Sequence, residues 1–281
     1  MTHAFKLVDV FGETPLAGNP LAVVFDAEGF DAGMMLKIAR WMNLSETVFL
    51  MAPTDPAADY KARIFTLDRE LPFAGHPTLG ACHAWLEAGG RPRSSGLVVQ
   101  ECGAGLIPLR RGEGINAFAA PPILRGGPVE DALLDEVAAV LRIGRGDIVD
   151  AQWIDNGPGW IGVLISSAEA VLRLQPARDH TRRIDIGVVG PHAPGSDLAF
   201  ELRAIFSDQH GGLREDPVTG SLNASMAQWL LASGRATAPY LAAQGTALGC
   251  VGRIHISQDT DGQVWVGGAA RTIVSGGFGA D

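Results

Sequence analysis

The chain has 281 residues, 47% of them hydrophobic, which is enough to form one large core or two of moderate size. Its 31 acidic and 22 basic residues give a formal net charge of -9, and no stretch gathers Lys and Arg into a face that could neutralise phosphates, so we expect no nucleic-acid partner. The N-terminal segment has no export signal and no apolar run reaches bilayer length, so we expect a soluble cytoplasmic protein without membrane contact.

Short segments rich in Val, Ile and aromatic residues, separated by Gly, Pro or Asp, predict strands throughout the chain. In the first half these are 5–11, 21–25, 47–51, 61–66, 96–101 and 106–110. In the second half they are 160–165, 184–189, 200–206, 253–257, 263–266 and 271–275. Helical spacing of apolar residues predicts helices at 32–42, 78–88, 129–141 and 221–231.

A segment rich in proline and glycine, 119–128, lies near the middle of the chain, where a boundary between domains is expected. We therefore predict two domains of similar size, 1–120 and 121–281. The last strand, near 270–281, could cross back to the first half. With strands dominant in both halves and a few helices between them, the predicted fold class is α+β.

The chain contains an internal repeat. Segments 70–76 and 215–221 share Glu, Pro and Gly at equivalent positions, 145 residues apart, which is about half of the chain. Each copy follows an apolar pair and precedes a helix-like stretch that ends near Trp85 or Trp229. The pattern predicts duplication of a β-rich unit built around one helix.

The repeated glycines, Gly75 and Gly220, come just before the predicted helices. A helix start leaves its first N–H groups unpaired, and these attract anions. If two duplicated domains pack face to face, both helix starts can point into one cleft suited to a carboxylate or an enolate. Each turn alone would be an ordinary strand-to-helix connection, and their pairing favours a site.

Three further side chains belong to these turns. His76 and Ser221 follow the two glycines directly, so each could reach a bound ligand. Asp216 replaces Leu71 of the first copy, and it could cap the helix, brace the loop or take part in the chemistry.

Glu46 lies between a predicted helix and an apolar strand, in segment 43–50. These neighbours predict partial burial, which favours the protonated form of a carboxylate and allows it both to take and to return a proton near neutral pH. The alternative is that Glu46 caps a turn.

The sequence lacks the motifs of several cofactor-dependent or nucleophilic enzymes, namely HExxH, the P-loop and GxSxG. Segments 103–105 and 267–268 contain glycines without the strand and helix of a dinucleotide site. The seven histidines have no ligand spacing, and Cys82 and Cys102 fit small core positions better than nucleophiles. We therefore predict no cofactor and no metal.

Four motifs in this order resemble the phenazine-biosynthesis PhzF-like proteins, within the diaminopimelate epimerase fold superfamily. They are 8–11 together with 18–24, then 43–49, 70–80 and 215–221, and the resemblance covers essentially the whole chain. It implies two similar domains related by a pseudo-twofold axis, each a curved sheet wrapped around a central helix. It also implies a homodimer with a small carboxylate substrate.

The resemblance assigns roles to particular residues. It implies that Glu46 is the catalytic acid and base, assisted by His76 and Asp216. It implies that the substrate is bound by Ser45, Gly75, Gly220 and Ser221.

In the epimerase branch of the superfamily, two cysteines act on opposite faces of a carbon, whereas Ala74 and Thr219 stand here. The two-thiol mechanism is thereby excluded, and a carboxylate-centred proton shift remains. The reaction implied is that of trans-2,3-dihydro-3-hydroxyanthranilate isomerase. The alternatives are a two-base epimerase using Glu46 and Asp216, and a catalytically silent binding protein of the same fold.

Overall fold

The structure, a computed structural model, describes residues 2–112, 114–208 and 210–279. The strands are Thr2–Val10 (β1), Asn19–Val24 (β2), Thr47–Met51 (β3), Tyr60–Phe65 (β4), Glu70–Leu71 (β5), Leu97–Cys102 (β6), Gly105–Arg111 (β7), Ile115–Ala119 (β8), Arg125–Pro128 (β9), Ile148–Asp155 (β10), Trp160–Ile165 (β11), Asp185–Pro191 (β12), Phe200–Ser207 (β13), Leu213–Asp216 (β14), Tyr240–Gln244 (β15), Gly252–Gln258 (β16) and Val264–Gly279 (β17). The α-helices are Ala32–Met42 (α1), Gly75–Glu87 (α2), Asp131–Leu141 (α3), Ala168–Arg173 (α4) and Gly220–Ala232 (α5).

The chain forms two compact units. The first unit consists of Met1–Ala119 and Gly267–Asp281, and the second unit is Ala120–Val266. Strand β17 begins in the second unit and continues in the first, where it pairs with β1. None of the helices within the described residues is both long and apolar enough to cross a membrane.

The first unit is a closed ring of strands around α2. Strand β1 pairs with β17 and β2, and the ring continues through β3, β4, β6, β7 and β8 back to β17. Helix α2 contacts six of these strands, so residues on nearly every side of it are buried. This arrangement confirms the prediction of an α+β fold with a curved sheet around a central helix.

The second unit repeats the pairing pattern of the first. Strands β9, β10, β11, β12, β13, β15 and β16 pair in that order. The β11/β12 and β13/β15 pairs are parallel, as are β2/β3 and β4/β6 in the first unit. Helices α2 and α5 each have 13 residues and begin at the two repeated glycines. The repeat predicted from two short segments is therefore confirmed at the level of whole units.

The glutamates shared by the two copies of the repeat have equivalent partners in the two units. Glu70 accepts two hydrogen bonds from the guanidinium of Arg63 on β4, at 2.7 and 2.6 Å. Glu215 accepts two from Arg203 on β13, at 3.0 and 2.6 Å. In each unit, therefore, an arginine of the preceding strand holds the segment that leads into the central helix.

Two strands predicted at 263–266 and 271–275 are in fact one continuous strand, β17. Glycines 267 and 268 suggested a break between two strands, but the strand continues through them, and Gly268 is there because a side chain would not fit. A Cβ atom on Gly268 would lie 2.2 Å from Cδ1 of Phe11. Glycine is needed there so that the strand can pack closely against an aromatic ring.

Several short elements were not predicted, namely β5, β8, β9, β10, β14, β15 and α4. Most have only a few residues, and β9 consists of Arg125–Pro128, which contains two glycines and a proline. The shortest of these strands, such as β5 and β14, pair because a longer neighbouring strand provides hydrogen-bonding partners. Local propensity alone would not select a strand at these positions.

The carboxylate of Glu101 on β6 accepts hydrogen bonds from the turn that follows β3. Burial raises the pKa of its carboxyl group, but hydrogen bonds from Lys61, from the Thr54 side chain and from the backbone of Asp55 and Thr54 outweigh burial and lower the pKa to about 2.

A carboxylate whose pKa is lower in the folded protein stabilises the fold above its unfolded pKa, about 4.3 for Glu. That contribution is lost as the pH falls from there through about 2. We therefore expect Glu101→Gln to lower the free energy of unfolding at neutral pH, with the difference from wild type shrinking in acid. Urea titrations at a series of pH values would measure this difference, and a constant difference across the series would contradict the prediction.

Candidate active site

Helix α2 begins with buried backbone donors that no side chain caps. Ala74 precedes the helix in an extended conformation and has no side-chain acceptor. The first three residues of the helix, Gly75, His76 and Pro77, are buried. Pro77 has no N–H, so the amides of Gly75 and His76 are the first-turn donors without an acceptor inside the helix. A buried helix start of this kind needs an acceptor from elsewhere, and an anion would provide one.

Glu46 and His76, thirty residues apart in sequence, are in contact. Oε2 of Glu46 lies 3.0 Å from Nδ1 of His76. The His76 side chain is 3% exposed and that of Glu46 is 16% exposed, so the carboxylate can be reached from outside while the imidazole is enclosed. Ser45 is half-buried directly before Glu46, in the connection between α1 and β3. The first unit thus brings together two of the predicted catalytic residues.

The second nitrogen of His76, Nε2, is buried and has no hydrogen-bond partner among the described residues. The same is true of Oγ1 of Thr47, which follows Glu46. Buried polar atoms are almost always paired in native proteins, so the unpaired nitrogen of His76 and the unpaired hydroxyl of Thr47 call for an explanation. A ligand that supplies the missing partner is one explanation.

The start of α5 in the second unit is arranged around Ser221. Its Oγ accepts a hydrogen bond from Nε1 of Trp160 at 3.1 Å, and its carbonyl oxygen accepts one from Nδ2 of Asn156 at 2.9 Å. An indole N–H can only donate, so the Ser221 hydroxyl keeps its own hydrogen for another acceptor. Gly220, the first residue of α5, is buried beside it. This helix start therefore presents donors, as the predicted carboxylate site requires.

Asp216 ends β14, and its Oδ2 accepts a hydrogen bond from Oγ1 of Thr219 at 2.6 Å. This contact joins the two ends of the loop before α5. The loop is also held by Gln244 of β15, which is fully buried.

A glutamine also braces the central helix of the first unit. Gln100 on β6 donates from Nε2 to Oγ1 of Thr78 at 2.9 Å and accepts from the hydroxyl of Tyr60 at 3.1 Å. Burial raises the pKa of Tyr60, which keeps the phenol a donor. Burial likewise raises the pKa of the Cys82 thiol to about 12, so Cys82 is not a thiolate nucleophile at neutral pH.

The predicted site residues thus fall into two clusters, one in each unit. Ser45, Glu46, Gly75 and His76 belong to the first unit, and Asp216, Gly220 and Ser221 belong to the second. Sequence reasoning missed Asn156, Trp160 and Gln244, which contact these residues from distant strands and turns. The only local signal was the turn 155–159, whose Asp, Asn, Gly and Pro residues precede Trp160.

The sequence model of the family described as phenazine biosynthesis-like protein matches residues 8–276. Antisense-enhancing sequence 1 of Schizosaccharomyces pombe is 34% identical over 292 residues, which cover 98% of each chain. The trans-2,3-dihydro-3-hydroxyanthranilate isomerase of Pseudomonas chlororaphis is 33% identical over 238 residues, 83% of this chain and 81% of that protein. A solved structure of a predicted epimerase from Pseudomonas aeruginosa is similar with a TM-score of 0.82 at 26% identity, covering 99% of this chain and 100% of that one. The chain therefore belongs to the phenazine biosynthesis-like protein family, and it is an isomerase.

Proposed function

We propose that this isomerase shifts a proton, and with it a double bond, on a small carboxylic acid without a cofactor. Glu46 is the acid and base, with His76 and Asp216 assisting. The reaction proposed is of the kind named for the relative from Pseudomonas chlororaphis, the isomerisation of trans-2,3-dihydro-3-hydroxyanthranilate.

The contact between Glu46 and His76 carries this proposal. The imidazole lies within hydrogen-bond distance of the carboxylate, 3.0 Å, and orients it, and a carboxylate so held can accept a proton and later return it. The other imidazole nitrogen is buried and unpaired, which leaves it for the substrate. An ordinary turn cap would not need an enclosed histidine whose second nitrogen has no partner.

Binding of the substrate carboxylate is assigned to the helix starts, with Ser45, Gly75, Gly220 and Ser221. Each helix start offers donors of its own to a carboxylate: the first-turn amides at α2, which no side chain caps, and the hydroxyl of Ser221 at α5. The same donors would stabilise negative charge that spreads toward the carboxylate when a proton leaves a neighbouring carbon. We further propose that the enzyme is a cytoplasmic homodimer.

The reaction needs one base on one face of the substrate. Glu46 removes a proton from a ring carbon, and the electron pair of that C–H bond moves into the adjacent conjugated system. The proton then returns from Glu46 to a different carbon, so the product is a constitutional isomer with no net oxidation or reduction. A two-base epimerase would instead return the same skeleton with inverted configuration.

Incubation with trans-2,3-dihydro-3-hydroxyanthranilate in D2O, followed by NMR, tests the proposal. We expect a new constitutional isomer that carries deuterium at the carbon that receives the proton, to the extent that the proton on Glu46 exchanges with solvent. Recovery of the same skeleton with inverted configuration would favour the two-base epimerase. Binding of the acid with neither isomerisation nor exchange would favour a silent binding protein.

A further inference from the structure

The start of α5 is held by the turn between β10 and β11, residues 156–159, and by the first residue of β11. Nε1 of Trp160 donates to Oγ of Ser221 at 3.1 Å, and Nδ2 of Asn156 donates to the carbonyl oxygen of Ser221 at 2.9 Å. Trp160 is 4% exposed and Ser221 is 8% exposed, so the bond between their side chains is shielded from water. Ser221 is therefore held from outside its helix through both its side chain and its backbone.

The turn that carries these two donors is stabilised by one carboxylate. Oδ1 of Asp155 accepts from the N–H of Gly157 and from the N–H of Gly159, both at 2.7 Å. The two glycines have φ angles of 138° and 103°, which other residues rarely adopt. The positions of Asn156 and Trp160 are thus set within the turn itself.

The direction of the Trp160 bond determines what the Ser221 hydroxyl can do. An indole N–H donates and cannot accept, so the oxygen of Ser221 is the acceptor. The hydroxyl hydrogen must then point away from the indole. Among the described residues, no hydrogen-bond acceptor receives that hydrogen.

A second serine of the same helix shows what happens without such a donor. Oγ of Ser225 lies 3.3 Å from the carbonyl oxygens of Ser221 and Leu222, so this hydroxyl donates to its own helix. Serine side chains in helices commonly turn to their own backbone in this way. Ser221 does not, and the bond from Trp160 is the contact that holds its side chain in another rotamer.

We propose that Trp160 is a positioning residue, whose N–H keeps the Ser221 hydroxyl directed as a donor to the substrate carboxylate. This rests on the proposed function, in which that carboxylate binds at the start of α5. Without the indole N–H, the Ser221 side chain could occupy any of three staggered rotamers, of which one serves the ligand. Trp160 therefore acts on the substrate through Ser221 alone.

Isothermal titration of the purified protein with 2-aminobenzoate, a ring carboxylate that cannot isomerise, tests this proposal in a double-mutant cycle. We expect Ser221→Ala to weaken binding about tenfold, which is the loss of one hydrogen bond to a charged group. Trp160→Phe should weaken binding about threefold, because one rotamer in three remains productive. In the Ser221→Ala background, Trp160→Phe should cause no further loss, whereas a role in packing alone would cause the same loss in both backgrounds.

Trp229→Phe is the matched control. Trp229 belongs to the same unit and is also 4% exposed, but its Nε1 has no hydrogen-bond partner among the described residues. The same substitution there removes no hydrogen bond, so the affinity should stay that of wild type. Replacement of Trp160 by benzothienylalanine, which has sulfur in place of the indole N–H, keeps the shape of the side chain and should behave as Trp160→Phe does. Circular dichroism would establish that each variant is folded.

The proposal is overturned if both replacements of Trp160 bind as wild type does, if their loss persists in the Ser221→Ala background, or if wild type does not bind the acid. It is also overturned if Trp229→Phe shows the same dependence on Ser221. The cycle measures binding and not turnover. Coupling between Trp160 and Ser221 in a protein that gives no isomerisation would refute the proton shift and leave the role of Trp160 intact.

Discussion

Replacing Glu46 by glutamine is expected to lower the isomerisation rate by about 10²–10⁴-fold, the usual contribution of a general acid or base. The amide has nearly the same shape as the carboxylate and can still bond to Nδ1 of His76, so the fold should be retained. It cannot accept a proton from carbon at neutral pH. Initial rates measured by NMR, with thermal unfolding as the check on folding, would show a loss of turnover without a loss of structure.

Glu28→Gln provides a control in the same unit. Glu28 accepts a hydrogen bond from the backbone of Ala52, and glutamine keeps an oxygen for that contact. Its rate should stay within about twofold of wild type, because a surface substitution of this kind removes no group from the site. If Glu46→Gln retained the wild-type rate, Glu46 would not be the base and the proton shift would need another group.

The sequence indicated the candidate site residues of the first unit but not the contacts between them. Glu46 could be placed because an apolar strand begins directly after it, and His76 because it follows a glycine at a helix start. The 3.0 Å contact between them depends on how β3 packs beside α2, which no local pattern records. Trp160 and Gln244 were missed for the same reason, since Trp160 contacts the start of α5 and Gln244 the loop before it, each from a distant part of the chain.

Helix boundaries were predicted well where capping signals are strong. Helix α1 begins after Asp31, whose side chain accepts from the N–H of Met34 at 2.8 Å, and ends before Asn43, which has a left-handed conformation. The bounds predicted for it agree with the structure. Strand β17 was divided wrongly because glycine serves both turns and close packing, and only the tertiary neighbour, Phe11, distinguishes the two.

The two Arg–Glu ion pairs of the repeat have nearly the same geometry but differ in burial, so comparing them tests how burial changes the contribution of an ion pair to stability. Arg203 and Glu215 are 7% and 10% exposed, whereas Arg63 and Glu70 are 24% and 40% exposed. Arg203 also donates to the carbonyl oxygens of Val171 and Leu174, at 3.2 and 2.7 Å. Removing its carboxylate partner would leave a buried guanidinium charge without compensation.

We therefore expect Glu215→Gln to lower the free energy of unfolding by about 3–5 kcal/mol, the usual cost of breaking a buried pair. Glu70→Gln should cost about 1 kcal/mol or less, because water can solvate the exposed arginine that remains. Urea denaturation followed by circular dichroism would compare the two variants. Equal losses would show that the shared bidentate geometry, and not burial, determines the strength of these pairs. A larger loss for Glu215→Gln would show that the repeated Arg–Glu contact contributes more to stability where it is buried.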